Sequence, residues 1–215
     1  MVISKQKQKK EQTLKDLGTE YVDLYLIHWP VPGKHVEAYK ALEVLCKEGK
    51  IRGIGLSNYT VEDYLELKEA NIEILPSVNQ IEINPLLYRK KTIEFFKKEG
   101  IVLQSYRSLC NGKAFTQPTF TKIAKSHNKT VAQILGRWCV QKQFIYVPKS
   151  EKKQRMIDNA NVFDFNLSHD EMKELDSLTT LEALETFQKL YQKCVNRDTS
   201  KDSTLDGVKM EITLD

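Results

Sequence analysis

Hydrophobic positions along the chain follow two periods in turn, and the switch between them recurs. Over Tyr21–Trp29 the period is two, as in a strand: Val22, Leu24, Leu26 and His28 share one parity, so three apolar residues lead to a histidine at the C-terminal end. Pro30-Val31-Pro32-Gly33 ends that run. From His35 to Gly49 the apolar residues Val36, Tyr39, Ala41-Leu42 and Leu45-Cys46 recur at the spacing of an amphipathic helix. Lys50–Tyr59 (Lys-Ile-Arg-Gly-Ile-Gly-Leu-Ser-Asn-Tyr) is a strand again, with a polar end at Ser57 and Asn58. Glycines at its alternate positions let one face approach another layer closely. A helix is expected over Val61–Ala70, a strand over Ser77–Ile83 ended by Asn84-Pro85, a helix over Lys90–Glu99 and a strand over Ile101–Tyr106. A polar loop with Asn111-Gly112-Lys113 follows, then helices near Phe120–His127 and over Val131–Gln141. Phe144–Val147 is the last strand, ended by Pro148-Lys149-Ser150.

Strand and helix thus alternate at about 22–30 residues per step until a longer fourth step, which argues for βαβ crossovers and a parallel sheet. If the face bearing His28 points inward, the same parity is apolar ahead of each polar strand end. Ile54 and Leu56 precede Asn58, Val78 precedes Gln80, Val102 precedes Tyr106, and Ile145 and Val147 precede Lys149, with Gln104 the polar exception. Such groups meet at the mouth of a (β/α) barrel, although an open doubly wound sheet also gathers ligands at its strand C-termini.

The flanks are plainer. Residues 3–17 are polar and helix-compatible, with Gly18 as a stop. A helix starts after Ser150 and puts Arg155 and Asn159 four apart on one face. Ser168 followed by Glu171 has the form of a capping box, opening a helix to about Leu178. Another helix is expected over Leu181–Cys194, and a loose tail from Asn196 to Asp215. The domain reading is a barrel-type domain over 1–178 and a helix with tail over 179–215.

Composition narrows the function classes. At 215 residues, with 40% hydrophobic and 29% charged residues, the chain can bury a sizeable core. A net charge of +4 does not support a nucleic-acid reading, and no aromatic residues interleave the Lys-rich start. Cys46, Cys110, Cys139 and Cys194 are far apart, without a Cys-x-x-Cys, so neither a metal site nor a disulfide framework is indicated. No apolar run reaches the length of a membrane span, and no signal peptide is seen. The expectation is a cytoplasmic protein with no nucleic-acid or membrane partner.

Several segments in order resemble the aldo-keto reductases over about Leu17 to Leu178. Leu26-Ile27-His28-Trp29-Pro30 is similar to the family's fourth strand. Ser57-Asn58-Tyr59, Val78-Asn79-Gln80-Ile81-Glu82 and Gln104-Ser105-Tyr106 are similar to strands five to seven. Val147-Pro148-Lys149-Ser150, with Arg155 and Asn159, is similar to the family's C-terminal signature. The fold implied is a (β/α)8 TIM barrel, of which about five parallel strands, four to eight, are represented. The resemblance implies NADPH-dependent reduction of a small carbonyl substrate, an aldehyde or ketone. In it His28 hydrogen-bonds the carbonyl oxygen and Trp29 lines the substrate pocket. Ser57, Asn58 and Gln80 hold the nicotinamide carboxamide, which offers both a donor and an acceptor, while Tyr106 stacks on the ring. Lys149, Ser150 and Arg155 grip the adenosine 2′-phosphate, and Asn159 contacts adenine. Two cations, a hydroxyl and a helix start suit that dianion, which favours NADPH over NADH.

Departures from the family pattern matter as much. Arg107 stands where a small hydroxyl residue faces the pyrophosphate, Asp158 where Glu, Gln or a small residue is usual, and the sequence after Leu178 does not match the family's substrate loop. Of the family's catalytic tyrosine, lysine, aspartate and histidine, only His28 has a counterpart. Tyr25 lies on the other strand parity and is no substitute. The chain therefore reads as an N-terminally truncated member with little or no turnover of its own. The alternative is an inactive remnant that binds NADP(H) or a protein partner.

Overall fold

Five parallel strands and the helices between them carry the fold, in a computed structural model that describes residues 12–197. The order is β1 (Val22–Ile27), α1 (His35–Lys47), β2 (Ile51–Ser57), α2 (Val61–Glu69), β3 (Val78–Glu82), α3 (Lys90–Lys98), β4 (Val102–Tyr106) and α4 (Pro118–Ser126). Then follow α5 (Val131–Gln141), β5 (Ile145–Tyr146), α6 (Lys153–Ala160), α7 (His169–Asp176) and α8 (Leu181–Arg197). In the sheet the strands keep chain order, β1-β2-β3-β4-β5. A helical segment over 12–17 ends at Gly18, whose φ of 65° closes the turn with Gly18 N–H on Lys15 O and Thr19 N–H on Leu14 O.

Element ends differ from expectation by a few residues. Helix α4 starts earlier, because Pro118 at its first position lacks the N–H that a helix start leaves unused, and the Gln117 side chain caps Phe120 N–H. Helix α8 runs to Arg197, so residues 196–197 are helical rather than tail. The expected helix over 3–11 and the tail over 198–215 lie outside the described residues.

Two compact units share these elements. Among the described residues one holds 12–80, 95–101 and 188–197, the other 81–94 and 102–187. In the first unit Leu24 pairs with Gly53, Tyr25 with Ile54, Leu26 with Gly55 and Ile27 with Leu56, and on the other side Leu56 pairs with Asn79 and Ser57 with Gln80. Paired residues of parallel strands share a face, so Leu26, Gly55, Ser57, Val78 and Gln80 form one side. Ile54 and Leu56 are on the opposite side, 1% and 0% exposed, and not on the face of Leu24 and Leu26 as the parity argument expected. The reason is volume. A Cβ at Gly55 would overlap Leu26 Cδ2 and lie 2.7 Å from Val78 Cγ2, so that face has room only for glycine. Asn58, at φ 61°, is already past the strand, and strand parity does not extend to it.

In the second unit Gln104 pairs with Ile145 and Ser105 with Tyr146. Leu103 and Ser105 are buried, whereas Val102, Ile145 and Val147 are 44%, 41% and 36% exposed. The face of β4 that leads to Tyr106 is therefore open, while β5, expected over Phe144–Val147, ends at Tyr146, so no strand ladder reaches Lys149. Trp138, fully buried, anchors the helical layer of this unit by donating its indole N–H to Asp176 at 2.8 Å.

Candidate functional site

In the first unit, the polar end of β2 is tied to its neighbours on both sides. Ser57 Oγ and the Asn58 backbone N–H both donate to Gln80 O, each at 2.9 Å. Asn58 Nδ2 donates to His28 O at 3.0 Å and to Ser57 Oγ at 3.2 Å. This works because Asn58 takes the left-handed conformation, φ 61°, which asparagine tolerates better than most residues and which turns its amide back toward β1. His28, Ser57, Asn58 and Gln80 thus lie in one network. Ser57 and Asn58 are buried, Gln80 half-buried and His28 exposed. The His28 ring stands 5.8 Å from that of Trp29, which Tyr191 of α8 meets edge-on at 6.0 Å and 68°. Tyr25 pairs with Ile54 and lies on the face away from Leu26.

Two residues of this region carried no assignment in the sequence reading. Asp63 accepts Thr60 N–H at 2.8 Å, the Thr60 hydroxyl at 2.9 Å and the Tyr191 hydroxyl at 2.8 Å. Burial raises the Asp63 carboxyl above its ordinary value, and the bonds from Thr60 and Tyr191 offset part of that. The Thr60-x-x-Asp63 capping box is legible as a motif. Nothing near Tyr191 in the sequence signals Asp63.

In the second unit, half-buried Tyr106 closes β4, and Arg107 follows at φ 50°. Arg107 Nη1 binds Glu82 Oε2 at 2.9 Å, with the guanidinium 5.9 Å from the Tyr106 ring centre, so its charge is matched by a carboxylate of the same unit. Cys110 nearby is no thiolate at neutral pH: burial, then Glu82 and Cys139, push its thiol up to about 12.

Lys149, Ser150 and Arg155 gather around the start of α6. Its N-cap, Lys152, supplies no side-chain cap, and its first turn holds no acidic residue. Ser150 Oγ accepts Lys152 N–H at 3.2 Å. Lys149 is 3.7 Å from Glu151, but with side chains 89% and 88% exposed that pair contributes little. The start of α6 therefore has a hydroxyl and several cations beside it and no acidic residue in its first turn. One turn beyond Arg155, Asn159 is buried and lines a cavity of about 510 Å³ with Phe144, Tyr146, Met156 and Val162. Among the described residues no three His, Cys, Asp or Glu side chains are grouped to hold a metal, and no helix is long and apolar enough to cross a membrane.

Comparison with known proteins gives a consistent result. The model of the aldo/keto reductase family matches residues 3–180. Glyoxal reductase of Bacillus subtilis is 44% identical over 168 residues, covering 78% of this chain and 60% of that protein. The aldose reductase of Schistosoma japonicum superposes with a TM-score of 0.79 at 34% identity, covering 92% of this chain and 71% of that one. A mutant of Gox0644, solved in complex with NADPH, superposes with a TM-score of 0.78 at 35% identity, covering 81% and 65%. The chain spans about three fifths of the length of the curated relatives it matches, as in the 60% of the glyoxal reductase.

Proposed function

The chain belongs to the aldo/keto reductase family, and from that premise we propose that it carries the NADPH grip and the carbonyl-oxygen donor of an aldehyde or ketone reductase. The observation that carries the reading is the network in which Asn58 Nδ2 holds His28 O while Ser57 Oγ and Asn58 N–H hold Gln80 O. It fixes the strand end that presents the histidine to the strand ends that present the amides. Ser57, Asn58 and Gln80 are the groups that orient the nicotinamide carboxamide, and Tyr106 is the ring that stacks on the nicotinamide. Lys149, Ser150 and Arg155 take the 2′-phosphate at the uncapped start of α6, and Asn159 reads adenine. When bound, NADPH supplies a hydride. His28 donates an N–H to the substrate oxygen, where it favours the negative charge that develops there, and Trp29 forms the adjoining wall.

By the family resemblance His28 is the one tetrad residue assigned in this sequence, with none assigned to the tyrosine, lysine or aspartate. A positioned acid contributes about 10²–10⁴-fold, so the 215-residue chain alone is expected to bind NADPH with at most a trace of turnover. The free state of all four cysteines fits a cytosolic setting.

The test is a fluorescence titration of the chain with NADPH and NADH. Charge-assisted contacts to a phosphate of this kind correspond to about 10–100-fold in affinity each. Arg155→Ala and Lys149→Ala are expected to weaken NADPH by that factor and leave NADH unchanged. Equal affinity for the two nucleotides, or variants that bind NADPH as the parent does, overturns the assignment.

A further inference from the structure

Helix α8 lies beyond the family-matched stretch, which ends at residue 180, yet it contributes a ring to the carbonyl end of β1. Leu184, Phe187, Tyr191 and Val195 recur at helical spacing and are all buried. Tyr191 makes two contacts of different kinds. Its hydroxyl donates to Asp63 Oδ2 at 2.8 Å, and its ring meets Trp29 edge-on at 6.0 Å between centres. Trp29 in turn stands 5.8 Å from His28. Three rings therefore run in sequence from an exposed imidazole to a helix that the family model does not include.

The two contacts act together. Asp63 sits in the first turn of α2 and is held by Thr60 through both N–H and hydroxyl. It is a fixed acceptor, and its bond to Tyr191 sets both the depth of α8 and the tilt of the tyrosine ring. Edge-to-face pairs have a preferred geometry, so a fixed Tyr191 ring in turn restricts the Trp29 indole. Without that buttress a half-buried indole has several rotamers open to it.

We propose that Tyr191 is a specificity-determining residue of the carbonyl site: locked to Asp63, it fixes Trp29 and so the width and aromatic character of the wall beside His28. The substrate class such a wall selects is aromatic aldehydes over small polar dicarbonyls, because edge and face contacts reward a ring and offer a small polar molecule nothing. The inference rests on reading His28 and Trp29 as the carbonyl end.

The experiment uses the full chain with Tyr191→Phe, Tyr191→Leu and Asp63→Asn. Three properties are read: hydrogen exchange over residues 188–197, acrylamide quenching of tryptophan emission, and benzaldehyde titration beside an NADPH titration. Trp138 is buried and serves as a constant background. Tyr191→Phe loses the hydroxyl–carboxylate bond, and exchange over 188–197 is expected to rise about 10–100-fold, whereas Asp63→Asn keeps an oxygen that accepts from the hydroxyl and is expected to raise it less. Tyr191→Leu also loses the ring. There, quenching of Trp29 is expected to rise and benzaldehyde binding to weaken about tenfold, with NADPH affinity unchanged, whereas Tyr191→Phe retains most of the benzaldehyde affinity.

Parent-like quenching and benzaldehyde binding in Tyr191→Leu overturn the proposal while leaving the cofactor reading intact. A parent chain that binds NADPH but not benzaldehyde also overturns it. A parent chain that binds neither removes the functional reading first, and faster exchange alone then marks Tyr191 as a structural anchor.

Discussion

A methyl group added at Gly55 would overlap Leu26 Cδ2 and come within 2.7 Å of Val78 Cγ2 and 3.2 Å of Val78 O. One of these neighbours is backbone and two are side chains in a packed strand face, so none moves cheaply. Gly55→Ala is expected to cost about 1–3 kcal/mol, read as a fall in the urea midpoint. Gly53→Ala is the control: its nearest neighbour is Ser77 Oγ at 3.2 Å, a contact that a small shift relieves, and its cost should be well below that of Gly55→Ala. The alternation of glycine with large residues in β2 is visible in the sequence, and so is the close approach it permits. Which face the glycines occupy is not visible. Ile54 and Leu56 read equally well as an inner ladder or as the layer beneath the helices, and only the register Leu26–Gly55 and Leu56–Asn79 decides it. Asn58 compounds the ambiguity, because its φ of 61° breaks the parity at the residue whose placement mattered most.

At the level of elements, the local signals were the legible ones. Among the described residues three helices open with reciprocal capping boxes, Thr60 with Asp63, Thr130 with Gln133 and Ser168 with Glu171, and the last is plain in the sequence. What each box does beyond capping is set by distant chain. Asp63 meets Tyr191 across 128 residues, and Glu171 meets His127 across 44. No periodicity encodes such a pairing.

The Glu171 pair gives a pH test. Burial raises the Glu171 carboxyl, but Ser168 N–H and His127, which reaches its two oxygens at 2.8 and 2.9 Å, outweigh that and hold it below the ordinary carboxylate range. The folded chain then binds fewer protons at this group than the unfolded chain does. The contribution is complete above the unfolded value of about 4.3 and is lost as pH falls through the lower folded value. Glu171→Gln keeps an acceptor for the Ser168 cap but not the charge. It is expected to be less stable than the parent by about 1 kcal/mol near neutral pH, with the two urea curves converging in acid.

For the molecule as a whole, the distinction that matters is between strand faces that are covered and strand faces that are not. In the second unit β4 turns Leu103 and Ser105 into packed surroundings and leaves Val102 open, while Ile145 and Val147 are open on β5 and just beyond it. Alternation in the sequence grouped Val102 with Tyr106 along β4, whereas β5 ends at Tyr146 and its parity does not reach Lys149. Alternation gives parity alone and cannot say which parity is filled by neighbours. The difference is measurable. Val102→Thr with Ile145→Thr removes apolar area that is already in contact with water, so stability should change by less than about 0.5 kcal/mol, while binding of an apolar dye such as ANS falls. Leu103→Ala, one position away from Val102, removes packed volume and should cost about 2–4 kcal/mol. A large loss of stability from Val102→Thr instead would mean that this face is covered in solution. In that case the ladder leading to Tyr106 would be part of a core, and the stacking role proposed for Tyr106 would fall.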